Sequence, residues 1–386
     1  MSGKPVILIL IGALWPGNDS SGPNQSIKAL CEGLSDAFEF RIISRDRPFG
    51  ATKATAVPKV WQDYGFARQA CLPVDRLGAD GLIKLLRDTP HDLLVLNGYF
   101  DREFTLPTLI ARRFGRGSSA PVLLSPRGEF SGGALSLKSG RKSAYSRLAG
   151  LMGLLRGVHI HATSDVEAQD IRAALPDAPI TAVPNFRPLF PLPLFVARAE
   201  NEPLRLVFLG RISQVKGLDI ALDALTRCTV PAKLSIYGPV GDDAYWQACQ
   251  AQIEALPAHV SAQWHGEISN DAAPAMLAQH DLFLTPSLSE NFGHAIFESL
   301  ASGTPVLIGD QTPWRHLAAQ KAGHDLPVGD AAGLAAAMDH YAALPLGEQA
   351  AWRTGARAAA ERWVADSPAR DAMAALFHCL IERPAI

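Results

Sequence analysis

Residues 281–310 read DLFLTPSLSENFGHAIFESLASGTPVLIGD, and this stretch leaves few folds open. Asp281–Pro286 and Pro305–Ile308 are apolar runs of strand length. Between them Phe292, Ile296, Phe297, Leu300 and Ala301 recur at helical spacing, and Gly303-Thr-Pro closes the helix and starts the next run. The pattern predicts a β-loop-α-turn-β unit of a parallel sheet. The loop, residues 287–293, then lies at the carboxyl end of a strand and the amino end of a helix. Open α/β sheets bind ligands at that place, and helix amino termini favour anions. Glu290 falls in the loop, and Glu298 stands about two turns along the helix. On spacing alone, a helix capped by Asn291 or Ser289 with a solvated Glu298 fits equally well.

The alternation runs through the whole chain. Pro5–Leu14 is apolar throughout, as a strand covered on both faces is. Phe38–Ile43, Leu93–Asn97, Val122–Ser125, His159–Thr163 and Ile180–Pro184 continue the series, with helices expected near 27–34, 79–87, 103–114, 139–155 and 165–174. Residues 45–78 read as an irregular insertion, whose Trp61 and Tyr64 either stack on sugar rings or pin the loop to the core. Four prolines between 186 and 203 mark a linker. The series then restarts at Leu204–Leu209, Lys233–Tyr237, Val260–His265 and the two runs described above, with helices starting near 217, 243, 271 and 293. The expected fold class is α/β with two doubly wound domains, 1–187 and 188–366, followed by an Ala-rich helical tail whose last segment is 367–386.

A chain of 386 residues can bury a core in each half. The net charge of −2 hides an asymmetry: residues 1–187 hold 23 Lys and Arg against 17 Asp and Glu, and the remainder hold 13 against 21. The two halves therefore suit different partners. Five scattered cysteines form no C-x-x-C pair and read as buried apolar groups in a reducing compartment. The first apolar run is too short to span a bilayer and lacks a cleavage site, so a cytoplasmic protein is expected. No nucleic-acid partner is expected.

The second domain opens with Phe208-Leu-Gly210-Arg211-Ile-Ser-Gln-Val-Lys216-Gly217. The strand ends at Gly210, and two cations follow just before a helix. Fixed cations at a helix amino terminus stabilise a departing diphosphate, although a solvated basic loop has the same composition. Without an Asp-x-Asp pair in a suitable loop, no metal is expected. In the first domain, the Gly/Ser/Asn-rich loop that includes Gly22 can present backbone N–H groups to an anion. It lacks the G-x-G-x-x-G pattern of a nicotinamide dinucleotide site. Ser125-Pro-Arg127-Gly-Glu129 stands at another strand end. Residues 134–156 carry five cations and no acid, with Leu148, Leu151, Met152 and Leu155 at helical spacing. Such a helix suits either an anionic membrane surface or packing on the sheet.

Taken together, S-E-N-F-G, the second Glu, A-S-G-T-P-V and Gly-Arg-x4-Lys-Gly resemble the donor site of retaining nucleotide-sugar glycosyltransferases of family 4, which have the GT-B fold with two Rossmann-like domains facing a central cleft. The resemblance implies that Glu290 contacts the transferred sugar, Glu298 the ribose, and Arg211 and Lys216 the diphosphate. Gly210, Asn291, Phe292 and Gly293 complete that site, Gly22 lies in the cleft loop, and the final helix crosses back to the first domain. Thr163-Ser-x-x-Glu167 and Val183-Pro-Asn185 also fit, with Phe186 where the family has Gly. Some relatives place a His beside the sugar; here Arg127 stands at that strand end as a stabiliser of phosphate or sugar, and Glu129, His161 and His294 are the candidate bases. The implied activity is retaining transfer of a sugar from a UDP- or GDP-linked donor to a saccharide or lipid-linked acceptor. No cofactor is implied, and the setting is cell-envelope or exopolysaccharide synthesis at the inner face of the cytoplasmic membrane. A hydrolase or epimerase on the same fold, or a non-catalytic nucleotide-sugar-binding protein, are the alternatives.

Overall fold

The computed structural model describes residues 3–12, 15, 22–47, 53–54, 60–73, 78–130, 149–150, 152–199 and 202–382. The chain divides into two compact units: Met1–Pro188 with Ser367–Ile386, and Leu189–Asp366.

The first unit contains β1 (Val6–Ile11), α1 (Gly22–Leu34), β2 (Glu39–Arg45), β3 (Gln62–Asp63), β4 (Arg68–Leu72), α2 (Gly78–Asp88), β5 (Leu93–Asn97), α3 (Thr105–Arg113), β6 (Val122–Ser125), β7 (Val158–Ala162), α4 (Asp165–Ala174) and β8 (Ile180–Ala182). The strands lie in the order β3-β4-β2-β1-β5-β6-β7-β8, parallel except where β3 meets β4. β1 is central, with Leu10 opposite Ile43 of β2 and Leu96 of β5. Successive side chains of a strand point to opposite faces. Ile7, Ile9 and Ile11 therefore join one core with Ile27, Cys31 and Leu34 of α1 and Phe377 of the final helix, Ala369–Ile381. Leu8 and Leu10 join the other core, with Leu82 and Leu86 of α2 and Leu109 of α3. Two covered faces explain why β1 is apolar at every position. Ser164 caps α4 by accepting a hydrogen bond from the Glu167 N–H at 3.1 Å.

The second unit contains β9 (Leu204–Leu209), α5 (Leu218–Arg227), β10 (Ala232–Tyr237), α6 (Asp243–Glu254), β11 (Val260–Trp264), α7 (Ala273–Ala278), β12 (Leu282–Thr285), α8 (His294–Ala301), β13 (Val306–Gly309), β14 (Gly323–Leu326), α9 (Ala331–Ala343) and α10 (Leu346–Asp366). Its sheet is wholly parallel, in the order β11-β10-β9-β12-β13-β14. On α5, Leu218, Ala221, Leu222 and Leu225 are buried, the i, i+3, i+4, i+7 stripe of a helix lying on a sheet.

Several expectations need correction. Part of the insertion at 45–78 is sheet: β4 pairs in parallel with β2 from Arg41↔Arg68 to Arg45↔Leu72. Within it Tyr64 packs edge-on against the buried Trp15 at 5.5 Å, and Arg68 lies 5.9 Å from the Trp61 ring, so both aromatics are engaged by the protein itself. Gly22 and Pro23 form the first turn of α1 rather than a loop; Pro there lacks only an N–H that the helix would leave unpaired. Residues 189–199, read as linker, are held along the second unit. Arg357, Gln279 and Arg205 donate to the carbonyls of Phe190, Leu194 and Val196 at 3.0, 2.7 and 2.9 Å. Of the cationic 134–156 stretch, residues 134–148 and 151 lie outside the described residues; Ala149 and Gly150 are helical, and 152–157 form turns. No helix among the described residues is long and apolar enough to cross a membrane.

Candidate functional site

In the second unit the strand order reverses at β9, which has β10 on one side and β12 on the other. The crevice outside the carboxyl ends of β9 and β12 is therefore the topological switch point, where sheets of this kind bind ligands. The loops after β9 and β12 meet there. The Leu288 N–H donates to the Val215 carbonyl at 2.8 Å. Gly217 has φ +68°, and a Cβ on it would sit 2.5 Å from the Pro286 carbonyl oxygen. Only glycine fits this combination of left-handed backbone and close approach.

Two helix amino termini open into the same crevice. α5 begins after Gly217 and α8 after Gly293, both left-handed, and neither helix has a side-chain cap. Asn291 and Ser289 thus do not cap α8, because Gly293 takes the cap position. The Asp219 N–H of α5 donates to Tyr245 Oη at 3.0 Å, while the positive dipole ends of both helices still favour an anion in the crevice.

Lys216 ends a short 3-10 turn, Gln214–Lys216, and its ammonium makes an ion pair with Glu290 Oε1. Ser287 Oγ donates to the same oxygen at 2.8 Å, and the Glu290 N–H donates to the Gln311 carbonyl at 2.9 Å. The two charged side chains are 27% and 12% exposed, so water screens the pair only partly. Both contacts use Oε1, and among the described residues no donor reaches Oε2, which keeps acceptor capacity for a hydroxyl. Lys216 likewise retains two of its three donors for an anion.

The other expected residues of this unit fall around that pair. Gly210 follows β9 directly, and a Cβ on it would lie 3.8 Å from the Lys216 side chain. Arg211 is exposed, with its aliphatic stem against Gly241. Asn291 is half-buried in the loop, and Phe292 is buried with its ring 6.0 Å from Trp314. Glu298 is buried on α8. His294 opens α8, with its ring 4.7 Å from Phe292. Two features were not readable in advance: the Ser287 hydroxyl on Glu290, which only the i, i+3 spacing hints at, and the stacking of Tyr237, the last residue of β10, on His265, just after β11, at 4.9 Å.

Arg127 and Gly22 belong to the first unit. Gly22 accepts from Ser26 Oγ at 3.0 Å within the first turn of α1. Arg127 follows β6 with φ +57°, a left-handed conformation that a non-glycine residue adopts at a cost. Its Nε donates to Asn97 Oδ1 at 3.2 Å and its Nη1 to Asn185 Oδ1 at 2.8 Å. Burial lowers its pKa to about 10, against a smaller opposing pull from Glu167, so it stays cationic at neutral pH. Glu167 gives its oxygens to Gly128 N–H at 2.5 Å, Thr163 N–H at 2.7 Å and Thr163 Oγ1 at 2.6 Å.

The candidate bases of this unit are otherwise engaged. Glu129 Oε2 accepts from Tyr99 N–H at 2.5 Å and Phe100 N–H at 3.1 Å. The Val183 carbonyl can only accept, so His161 Nε2, 2.8 Å away, carries the proton, and Nδ1 accepts from Ser125 Oγ at 2.9 Å. Burial, and then the charge of Arg127, push the His161 pKa down to about 3. A group that refuses a proton so firmly is a weak general base near neutral pH.

Residues 195–359 match the family described as glycosyl transferases group 1. The chain is 31% identical over 138 residues to a phosphatidyl-myo-inositol mannosyltransferase of Mycobacterium leprae (strain TN), which covers 34% of this chain and 35% of that protein. The match therefore spans about a third of that relative's length. Among solved structures, sucrose-phosphate synthase from Thermosynechococcus elongatus superposes with a TM-score of 0.72 at 16% identity, over 98% of this chain and 99% of that one. The Anabaena protein HepE, solved with UDP and glucose, gives a TM-score of 0.66 at 16% identity, over 96% and 99%. At these identities the likeness is one of fold, and the fold is GT-B.

Proposed function

We propose that this chain, which carries a glycosyl transferases group 1 domain at residues 195–359, moves a sugar from a nucleotide-diphosphate sugar to a saccharide or lipid-linked saccharide acceptor. The observation that supports this most is the Lys216–Glu290 pair, set between two helix amino termini that follow left-handed glycines at the switch point of the second unit. Lys216, Arg211 and the helix termini bind the diphosphate and stabilise the charge that grows on its leaving oxygen. Glu290 Oε2 accepts from a hydroxyl of the transferred sugar, and Glu298 serves the ribose. Transfer is read as retaining. The solved complex of HepE with UDP and glucose favours UDP as the carrier. A thermal-shift screen of nucleotide sugars tests the assignment, because ligand stabilisation grows with concentration over Kd. One sugar nucleotide should raise Tm in a saturable way; a flat response to UDP- and GDP-linked sugars alike removes the basis for a donor site.

The acceptor is read as membrane-borne, in envelope or exopolysaccharide assembly, with the protein peripheral on the cytoplasmic face. Support comes from the cationic, acid-free stretch between Glu129 and Asp165. Each cation near an anionic surface adds about 1 kcal/mol. Co-sedimentation with anionic vesicles should rise with anionic lipid, fall with salt, and weaken when Lys138, Arg141 and Lys142 become Gln. Failure to bind such vesicles at low salt makes a soluble acceptor the better account.

A further inference from the structure

In the second unit the chain continues beyond β9 and β10 as two neighbouring stretches, 210–212 and 238–241. The Ile212 N–H donates to the Pro239 carbonyl at 2.9 Å, and the Gly241 N–H donates to the Ile212 carbonyl at 3.0 Å. Ile212 and Val240 thus form a parallel bridge past the ends of the strands. Ile212 is wholly buried in the core, which fixes one side of this seam. On the other side Asp242 caps α6 by accepting from the Tyr245 N–H at 3.1 Å. Tyr245 Oη donates to Asp219 Oδ1 at 2.6 Å and accepts from the Asp219 N–H at 3.0 Å, which ties α6 to the first turn of α5. The backbone is therefore pinned on both sides.

Arg211 stands in this seam, and among the described residues its guanidinium has no hydrogen-bond or ion-pair partner. What places it is its aliphatic stem, which lies on Gly241. A Cβ on Gly241 would stand 2.6 Å from both Cγ and Cδ of Arg211, and 3.2 Å from the Ile212 carbonyl oxygen. Gly241 is not in a left-handed conformation, so glycine serves here for close approach alone. A methyl group at this position needs either the backbone or the arginine to give way. The backbone is held by the bonds above, whereas an exposed arginine has other rotamers. The stem is therefore what moves. Fixing a long side chain to a ligand costs rotamer freedom, and a stem that already lies on a surface has lost part of it beforehand.

We propose that Gly241 is a positioning residue for the donor: its bare backbone is the seat that holds Arg211 in the orientation that meets the diphosphate. The proposal rests on the donor-site reading of Arg211 given above, to which it adds the part that aims the fork. Gly241 itself touches no substrate and acts only through Arg211.

The test is a double-mutant cycle on the full chain: unaltered, Arg211→Ala, Gly241→Ala, and both together. Titration calorimetry gives the Kd of UDP and of GDP, and the nucleotide that binds the unaltered chain more tightly serves for the cycle. With Arg211 present, Gly241→Ala should weaken binding by roughly three- to tenfold, the size expected when a long side chain must be ordered anew. In the Arg211→Ala chain the same substitution should change nothing, because the residue it acts through is gone. A glycine needed only for the shape of its loop would weaken binding equally in both backgrounds, and that result overturns the proposal while leaving the donor reading in place. An unaltered Kd in Gly241→Ala with Arg211 present overturns it too. If Arg211→Ala itself leaves the Kd unchanged, or neither nucleotide binds the unaltered chain, the donor reading fails and the proposal with it. The seat can also be read without nucleotide, from the NMR order parameter of the Arg211 Nε–H, assigned by its absence from Arg211→Ala. It should report a restricted side chain in the unaltered protein and a mobile one in Gly241→Ala. Should Gly241→Ala not fold, the unaltered chain still decides, since an Arg211 Nε–H as mobile as a freely rotating side chain overturns the proposal.

Discussion

Lys216→Ala should lower the rate of nucleoside diphosphate release from the donor by about 10²–10³, the loss typical of a preorganised charge stabiliser. That is roughly 3–4 kcal/mol of transition-state stabilisation. The reason is geometric. The ammonium is fixed by Glu290, with two donors left over, beside the amino termini of α5 and α8. Its attraction for the diphosphate grows as charge moves onto the leaving oxygen, so the effect belongs in kcat more than in KM. Arg211→Ala should act in the same direction. Arg211 is exposed and held only along its stem, so its loss should be the smaller of the two. Folding should change little, since the Lys216–Glu290 pair is still part-exposed and such pairs are worth about 1 kcal/mol or less. Since the two cations are proposed to do what a divalent ion does elsewhere, unaltered protein should work at the same rate in EDTA as in magnesium. Near-normal release by both single variants, or activity that EDTA abolishes and magnesium restores, would sink this account.

The parts that were legible in the sequence share a physical cause. β12, α8 and β13 sit in the middle of the second sheet, where burial on both faces leaves long apolar runs, and the glycines that bound them are demanded by the backbone. Sequence patterning therefore found them to within a residue or two. β4 and β14 were not found. β4 lies second from an edge and reads Arg-Gln-Ala-Cys-Leu; β14 is itself an edge and reads Gly-His-Asp-Leu. A strand that need not be apolar on both faces carries little signal.

The site divides in the same way. Lys216 and Glu290 were legible as separate residues of known motifs, because each sits in a short loop after a buried strand. Their direct pairing is a contact across 74 residues, and neither periodicity nor spacing encodes it. Arg127 shows the limit most clearly. Its partners Asn97 and Asn185 stand 30 and 58 residues away, at the ends of other strands. That they are amides rather than acids, and so leave its charge uncancelled, only becomes meaningful once the sheet order brings the three together. The same holds for His161, whose unpromising sequence context gave no sign that both ring nitrogens are occupied.

That histidine gives the second large effect, on stability rather than rate. Its pKa falls from the ordinary 6.5 to about 3 in the folded chain, chiefly because burial penalises the charged ring, with Arg127 and His159 adding repulsion and the Val183 hydrogen bond opposing. Between these two values the unfolded chain takes up a proton that the folded chain refuses. Stability therefore rises with pH in this window and is lost on acidification from about 6.5 toward 3, by roughly 1.4 kcal/mol per pH unit. At pH 4.5 the loss from this group alone should be about 2–3 kcal/mol relative to pH 7.5. His91, His280 and His324 are also depressed by burial and titrate in the same window, so a variant is needed to isolate the term. His161→Gln keeps a donor that can reach the Val183 carbonyl and cannot titrate. It should be less stable at pH 7.5, where Ser125 loses its acceptor, yet lose less on acidification. The measurement is the urea midpoint at both pH values, with the slope checked for constancy. If wild type and variant lose the same stability between pH 7.5 and 4.5, His161 is not the neutral, doubly bonded ring described here.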